Sequence, residues 1–194
     1  MGYLPGSEAF RSRNLAGEPR GRGPRPGSEI LADLALQRLR EAARVLELAT
    51  GSGAIAIALK IERPDLAVTA TDISDDALAV ARCNAIAHDA DIVLITSDWF
   101  ADLATRFDAI VVNPPYVRAD DPHLANLTHE PLRALVPGPT GLEAIEHIVA
   151  RAASYLRNAG LLLLEPGYDP GGDVRVLLGT AGFPAVEPHQ ALAG

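Results

Sequence analysis

Short apolar segments that alternate with helical patterns constrain the fold of this 194-residue chain more than any other feature. The segments typical of buried strands are 44–48 (RVLEL), 66–72 (LAVTATD), 91–97 (DIVLITS), 107–112 (FDAIVV) and 160–165 (GLLLLE). Short apolar strands joined by helices favour parallel pairing with right-handed crossovers. The sequence therefore predicts an α/β fold with a doubly wound, mostly parallel sheet and helices on both faces.

The helical patterns precede, separate or follow these strands. They are predicted from Ser28, as N-cap, to about Arg44; over 53–61; from Ser74 to about His88; from a capping box at Thr140–Glu143 to about Leu156; and from Asp173 to Thr180. A weak sixth strand is predicted around Ala185 to Glu187. The length and the 48% hydrophobic content suit one domain of ordinary size.

The first 27 residues differ in composition from the rest. They are rich in Gly, Pro and Arg, whereas the whole chain has a net charge of −8. We expect 1–27 to be a flexible basic leader and 28–194 to be the folded domain. The acidic domain argues against a protein that binds mainly by neutralising nucleic-acid phosphates, although the leader is compatible with an RNA or acidic partner.

Membrane, secreted, disulfide-bonded and metal-binding proteins are disfavoured, because the sequence patterns typical of them are absent. The sequence has no apolar run of membrane-spanning length and no secretory signal, so a cytoplasmic protein is expected. A single cysteine, Cys83, cannot form an internal disulfide. The five histidines form no recognisable ligand pattern, and no metal site is expected.

Ligands of doubly wound sheets bind beyond the carboxyl ends of the strands, so the residues at those ends matter most. Glu47 lies at the tip of the first strand, followed by a loop in which Gly51 and Gly53 permit a tight turn and close approach of a ligand. The loop also fits the weak dinucleotide pattern G-x-G-x-x-G/A. Asp72 ends the second strand, where a carboxylate can bind both hydroxyls of a ribose in either a nicotinamide dinucleotide or S-adenosylmethionine. A helix-capping role for Asp72 competes with this interpretation.

The third and fourth strands end in more distinctive residues. After the third, Asp98 is a candidate acceptor for an exocyclic adenine amine, and Trp99 is a candidate to flank the purine, with core packing equally compatible. The fourth ends in Asn113-Pro114-Pro115-Tyr116. Hydride transfer by a nicotinamide dinucleotide does not require such a segment.

This last segment suits methyl transfer to a planar nitrogen. An amide or amino nitrogen is weakly nucleophilic because its lone pair is delocalised, and acceptors on its two N–H bonds orient it for attack. Asn113 offers a side-chain carbonyl, and Pro114 offers a backbone carbonyl fixed by its ring and by Pro115. Tyr116 can stack on a flat substrate group. Orientation of this kind commonly lowers a barrier by roughly 7–11 kcal/mol.

With these residues in place, the sequence resembles the class I S-adenosylmethionine-dependent methyltransferases, and more narrowly the HemK family of peptide chain release factor glutamine methyltransferases. The resemblance runs from about Gly23 to Gly182. Its motifs are PRPGSE, LELATGSGAIAIAL, TATDISDDALAVARCNA, SDWF, FDAIVVNPPYV, HEPLRALVPGPTGLEAI and GLLLLEPGYD.

The resemblance implies a cofactor and a protein substrate. The implied S-adenosylmethionine ligands are Glu47, Ala49, Thr50, Gly51, Ser52, Gly53, Asp72, Ile73, Asp98, Trp99 and Asn113. It also implies that Asn113 to Tyr116 clamp the glutamine of the Gly-Gly-Gln loop of a bacterial release factor, with Asn113, Pro114 and Tyr116 as catalytic residues.

The chain departs from the family pattern in four ways, one of which is Pro166 at the end of the fifth strand, where Pro is tolerable because the strand stops. We expect the short leader to stand in place of the family's helical N-terminal domain, and the family's final strand to be missing. Ala49 stands where the cofactor loop usually has glycine; its methyl is harmless if φ is negative and obstructive otherwise.

Four other interpretations remain open at this point. An N6-adenine methyltransferase would use the same clamp on an extruded base, but usually needs a basic recognition surface. The clamp equally suits a glutamine of a ribosomal protein. A cofactor binder without catalysis is the third, and a nicotinamide-dependent oxidoreductase is more remote.

Overall fold

A computed structural model describes residues 7–10, 13–16, 26–114, 141–166 and 172–189. Its strands are β1 (Ser7–Phe10), β2 (Arg13–Ala16), β3 (Arg44–Leu48), β4 (Ala67–Asp72), β5 (Val93–Thr96), β6 (Phe107–Val112) and β7 (Leu156–Leu164). Its helices are α1 (Pro26–Arg38), α2 (Ala54–Glu62), α3 (Asp75–Ala87), α4 (Glu143–Tyr155) and α5 (Gly172–Thr180). None of the helices in these ranges is both long and apolar enough to span a membrane.

Five strands form the main sheet in the order β5-β4-β3-β6-β7, and every neighbouring pair is parallel. The chain lays down β3, β4 and β5 in one direction and then returns to place β6 on the other side of β3. The strand order therefore reverses between β3 and β6, which is where doubly wound sheets bind ligands.

The two faces of the sheet bury different side chains of the same strands. On one face, Val45 and Val111 belong to an apolar cluster that includes residues of α1 and α2. On the other, Leu46, Ile110 and Val112 pack with Phe100, Phe107 and residues of α4. Alternate residues of a strand point to opposite faces, so this arrangement needs apolar residues at nearly every position. The apolar runs and the predicted doubly wound sheet with helices on both faces are confirmed.

Several predicted boundaries differ from the structure. Helix α1 begins at Pro26, so Ser28 lies inside its first turn and is not its N-cap, and the helix ends at Arg38 rather than near Arg44. Pro suits a first helical position because that residue needs no N–H partner. Residues 185–187, predicted as a strand, have no regular secondary structure.

The capping box predicted at Thr140–Glu143 is also displaced. Leu142 occupies the N-cap of α4, whose first residue is Glu143. Gly141 has a φ of 81°, which is incompatible with a helical turn starting there. Thr140 lies outside the described residues. By contrast, Ser74 caps α3 as predicted and accepts a hydrogen bond from the Ala77 N–H at 3.2 Å.

The segment predicted as a flexible leader contains an ordered feature. Strands β1 and β2 pair antiparallel, with Ser7 opposite Ala16 and Phe10 opposite Arg13. Phe10 is 1% exposed and belongs to the apolar cluster that α1 and α2 share with the sheet. The sequence of this segment did not predict the strands. Its few apolar residues show no clear strand pattern, and its Gly, Pro and Arg content favours a flexible segment.

We expect Phe10→Ala to lower the free energy of unfolding by about 3–5 kcal/mol, because it removes a buried aromatic ring from the main core. Urea denaturation of the whole chain measures this change. Ile86→Ala is the control, since Ile86 is 76% exposed and its removal should change stability by no more than about 0.5 kcal/mol. Equal stability of the two variants would contradict docking of the β1–β2 hairpin on the core.

Candidate active site

The carboxyl ends of the central strands stand side by side. Leu48 of β3 pairs with Thr71 of β4 on one side and with Val112 of β6 on the other. Asp72 in turn pairs with Thr96 of β5. The residues that follow each strand therefore meet at one edge of the sheet, as predicted from the strand ends.

The loop after β3 has a defined shape. The Thr50 N–H donates to the Thr71 carbonyl at 2.9 Å, which ties the loop to β4. Gly51 and Gly53 have φ values of 55° and 81°, a region that favours glycine. A side chain added at Gly51 would meet no atom within 4 Å, so the loop is open to a ligand on that side.

A buried asparagine holds the same loop from below. Asn84, on α3, is 3% exposed, and its Nδ2 donates to the Ser52 carbonyl at 2.9 Å. This contact was not predicted. The sequence did carry one signal for it: Asn84 stands among alanines on the predicted buried face of a helix. A buried amide needs hydrogen-bond partners, so a contact of this residue with a neighbouring element could have been expected.

The backbone of Ala49 has a positive φ, the case in which its methyl group is expected to be obstructive. Its φ is 53°, in the left-handed region, so the condition for a harmless methyl group is not met. A residue other than glycine loses roughly 1–2 kcal/mol in this conformation. The surrounding loop must therefore stabilise Ala49 in this backbone geometry.

Glu47 is buried inside the site. Its side chain is 3% exposed, and Oε2 accepts from the Thr50 hydroxyl at 2.6 Å and from the Ala56 N–H at 2.9 Å. Burial raises the pKa of the Glu47 carboxyl to about 8, and the nearby charge of Asp72 adds to the increase, while the two hydrogen bonds oppose it. Glu47 thus fixes the start of α2 and the loop while favouring its neutral form.

Asp72 connects two loops of the site. Its Oδ2 accepts from the Gly51 N–H and its Oδ1 accepts from the Ser74 N–H, both at 3.0 Å. Ser74, not Asp72, is the N-cap of α3. The carboxylate is half-buried, so it keeps an accessible surface next to the open side of Gly51.

The residues predicted to bind the cofactor after the second and third strands lie at the ends of β4 and β5. Ile73, next to Asp72, is 70% exposed although it is large and apolar. Asp98 is exposed. Trp99 is half-buried, with its ring centroid 6.3 Å from that of His147 and its side chain against the apolar cluster of Phe100 and Phe107. Trp99 therefore packs on the core and also keeps an exposed surface.

Asn113 and Pro114 follow β6 at the reversal point of the sheet. Asn113 is half-buried, and its Nδ2 donates to the Ser28 hydroxyl at 2.9 Å. Pro114 is buried. Pro115 and Tyr116 lie outside the described residues, so their predicted roles in the clamp stay predictions.

The assembled residues fit a nucleoside-containing cofactor. The half-buried carboxylate of Asp72 accepts from the Gly51 N–H and is next in sequence to the exposed Ile73, while Thr50 and Ser52 of the same loop are buried. Beside this half of the site, Asn113 and Pro114 supply an amide and a rigid backbone carbonyl. This combination suits group transfer from the cofactor to a substrate nitrogen.

Comparison with known proteins identifies the family. A family model described as the methyltransferase small domain matches residues 23–165. The chain is 44% identical over 198 residues to the release factor glutamine methyltransferase of Xylella fastidiosa (strain 9a5c), covering 99% of this chain and 72% of the relative. The chain belongs to the release factor glutamine methyltransferase family.

Further relatives agree with this assignment. The release factor glutamine methyltransferase of Escherichia coli (strain K12) is 42% identical over 193 residues, covering 96% of this chain and 69% of the relative. The crystal structure of a methyltransferase from Pyrococcus furiosus has a TM-score of 0.65 at 20% identity, covering 90% of this chain and 80% of that one, and supports the fold alone. The predicted fold, family and enzyme class, an S-adenosylmethionine-dependent methyltransferase, are confirmed.

The raised pKa of Glu47 in this methyltransferase predicts a pH dependence of stability. A carboxyl whose pKa is raised by folding stabilises the native state at pH values below about 4.5, and this contribution is lost as the pH rises towards about 8. Glu47→Gln cannot ionise and keeps the acceptor oxygen. We therefore expect the wild type to lose stability relative to Glu47→Gln between these pH values, by at most about 1.4 kcal/mol per pH unit.

Urea denaturation at several pH values measures that difference. Glu146→Gln, at an exposed position of α4, controls for the loss of a carboxylate elsewhere. A wild type that gains stability relative to Glu47→Gln as the pH rises would contradict the assigned direction.

The left-handed conformation of Ala49 predicts the effect of substitutions there. Ala49→Gly removes the conformational cost but adds unfolded-state entropy of about 0.5–1 kcal/mol, so its free energy of unfolding should equal or slightly exceed that of the wild type. Ala49→Val should be clearly less stable, because branched residues tolerate this conformation poorly.

Ala159→Gly is the matched control. Ala159 has a similar φ of 59°, and it is an exposed residue of β7 away from the site. Both glycine variants should behave alike in urea denaturation, and only Ala49→Gly should alter S-adenosylmethionine affinity in calorimetry. A strongly destabilised Ala49→Gly would show that the loop requires the methyl group.

Proposed function

We propose that this protein transfers a methyl group from S-adenosylmethionine to the side-chain amide nitrogen of a glutamine in the Gly-Gly-Gln loop of a peptide chain release factor. The observation that carries the proposal is the position of Asn113 and Pro114. They stand at the reversal point of the sheet, directly beside the loop after β3, in a chain 44% identical to a release factor glutamine methyltransferase.

The cofactor half of the site is formed by the ends of β3 and β4. Asp72 is the acceptor for the ribose hydroxyls, and Gly51 permits close approach of the ligand to the loop. Ile73, Asp98 and Trp99 bind the adenine. Glu47 acts at the methionine end, together with the loop 49–53 that its hydrogen bonds shape. When bound, S-adenosylmethionine supplies a methyl group activated by the positive charge of its sulfonium.

The substrate half of the site orients the glutamine amide. The Asn113 side-chain carbonyl accepts from one N–H of the substrate, and the Pro114 carbonyl accepts from the other. A planar amide nitrogen held at both hydrogens is fixed in direction, and such orientation lowers the barrier by roughly 7–11 kcal/mol. Pro115 stiffens the Pro114 carbonyl, and Tyr116 stacks on the substrate amide, as the sequence predicts.

The direct test is transfer of a labelled methyl group from S-adenosylmethionine to a purified class I release factor. Mass spectrometry of the product locates the methyl group. Label on the glutamine of the Gly-Gly-Gln loop is the expected result. Label only on a ribosomal protein or on adenine, when these are offered in parallel, would replace the proposed substrate, and an unlabelled release factor would refute it.

Two substitutions should separate the two halves of the site. Asn113→Ala should abolish methyl transfer and leave S-adenosylmethionine affinity nearly unchanged, because it removes a substrate acceptor. Asp72→Ala should weaken cofactor binding, because it removes the ribose acceptor and the bonds to Gly51 and Ser74. Calorimetry and the labelled-methyl assay measure both effects.

Exposed residues of the same types serve as controls for these variants. Asn158→Ala on β7 and Asp91→Ala before β5 should match the wild type in both assays. Turnover by Asn113→Ala at a rate near that of Asn158→Ala would refute the clamp.

A further inference from the structure

We propose that Ser28 is a positioning residue that fixes the orientation of the Asn113 side chain for catalysis. The inference rests on the proposed function, because it assigns to Asn113 the role of a substrate acceptor. It concerns a residue that the sequence predicted only as a helix cap.

The contact joins two distant parts of the chain. Ser28 lies in the first turn of α1, 85 positions before Asn113, and its Oγ accepts from Asn113 Nδ2 at 2.9 Å. Ser28 is 7% exposed, so water does not readily replace the hydroxyl as the partner of the amide. A part-buried hydrogen bond of this kind is stronger than a fully exposed one, because less water competes for its partners.

The start of α1 is itself held against the sheet. A methyl group added at Gly27 would overlap the carboxylate of Glu165, which follows β7. The Glu165 N–H donates to the carbonyl of Val112, the residue before Asn113, at 3.1 Å. The first turn of α1 is therefore packed against the ends of β6 and β7, and this packing places the Ser28 hydroxyl at Asn113.

The orientation matters because the two ends of an asparagine amide are chemically opposite. The torsion that exchanges them is broad and roughly two-fold, so Asn113 alone has little preference. An oxygen directed at the substrate accepts its N–H, whereas a nitrogen in that place would oppose a donor with a donor. In the structure Ser28 accepts from Nδ2, and this hydrogen bond holds the amide with Oδ1 turned away from Ser28 and available to the substrate.

The first experiment compares Ser28→Ala with Ser28→Thr in the labelled-methyl assay on a release factor. Ser28→Ala should lower kcat about 10- to 100-fold, the loss typical of a misplaced catalytic group, with S-adenosylmethionine affinity unchanged. Ser28→Thr keeps the hydroxyl and should retain most of the wild-type kcat. Ser154→Ala, at an exposed position of α4, is the matched control and should match the wild type.

Rescue by threonine separates positioning from a loss of folding. If Ser28→Ala keeps the wild-type kcat, or if Ser28→Thr loses as much as Ser28→Ala, the proposal is overturned. Thermal unfolding of each variant confirms that the compared proteins are folded.

A second measurement does not depend on any substrate. In ¹⁵N NMR spectra, the side-chain NH₂ signals of Asn113 are assigned by their loss in Asn113→Asp. They should move in Ser28→Ala and remain close to their wild-type positions in Ser28→Thr. If the wild type methylates no release factor, the proposed function fails, and the NH₂ signals alone then decide the Ser28 contact. Signals that do not move in Ser28→Ala would overturn it.

Discussion

The pairing of β3 with strands on both of its sides is the constraint on which the site depends. Leu48 is bonded in register to Thr71 on one side and to Val112 on the other. A slip of one residue in either pairing would exchange the side chains that the two faces of β3 bury and would displace the residues beyond the strand. The same registers that bury Leu46 and Leu48 therefore set the distance between the loop after β3 and Asn113.

The two halves of the site are supported by separate hydrogen bonds. The loop after β3 is held by Asp72 at Gly51 and by Asn84 at Ser52. Asn113, in contrast, is held by Ser28 of α1. Because these contacts come from different elements, a change in one half need not alter the other, and affinity for the cofactor can be separated from turnover.

Sequence reasoning predicted the features whose signals are local. The apolar run 107–112 became β6, and Ser74 before two acidic residues became the cap of α3. The contacts of Phe10 with the core and of Ser28 with Asn113 were not predictable in the same way. They join residues far apart in the sequence, and no periodicity or turn pattern in one segment encodes the partner in another. The strand ends were predictable as a site because parallel topology alone brings them together.

The backbone of Ala49 shows why a local conformation gains meaning only from its position. Trp99, also at the end of a strand beside the site, has a φ of 54°, nearly the same as that of Ala49. However, Ala42 and Ala159 have similar values away from the site, so a left-handed residue by itself does not mark function. At Ala49 the same geometry has a consequence because the loop turns there, between the buried carboxyl of Glu47 and the open side of Gly51. Elsewhere the same geometry has no such neighbours: Ala42 lies between α1 and β3, and Ala159 lies in the irregular part of β7.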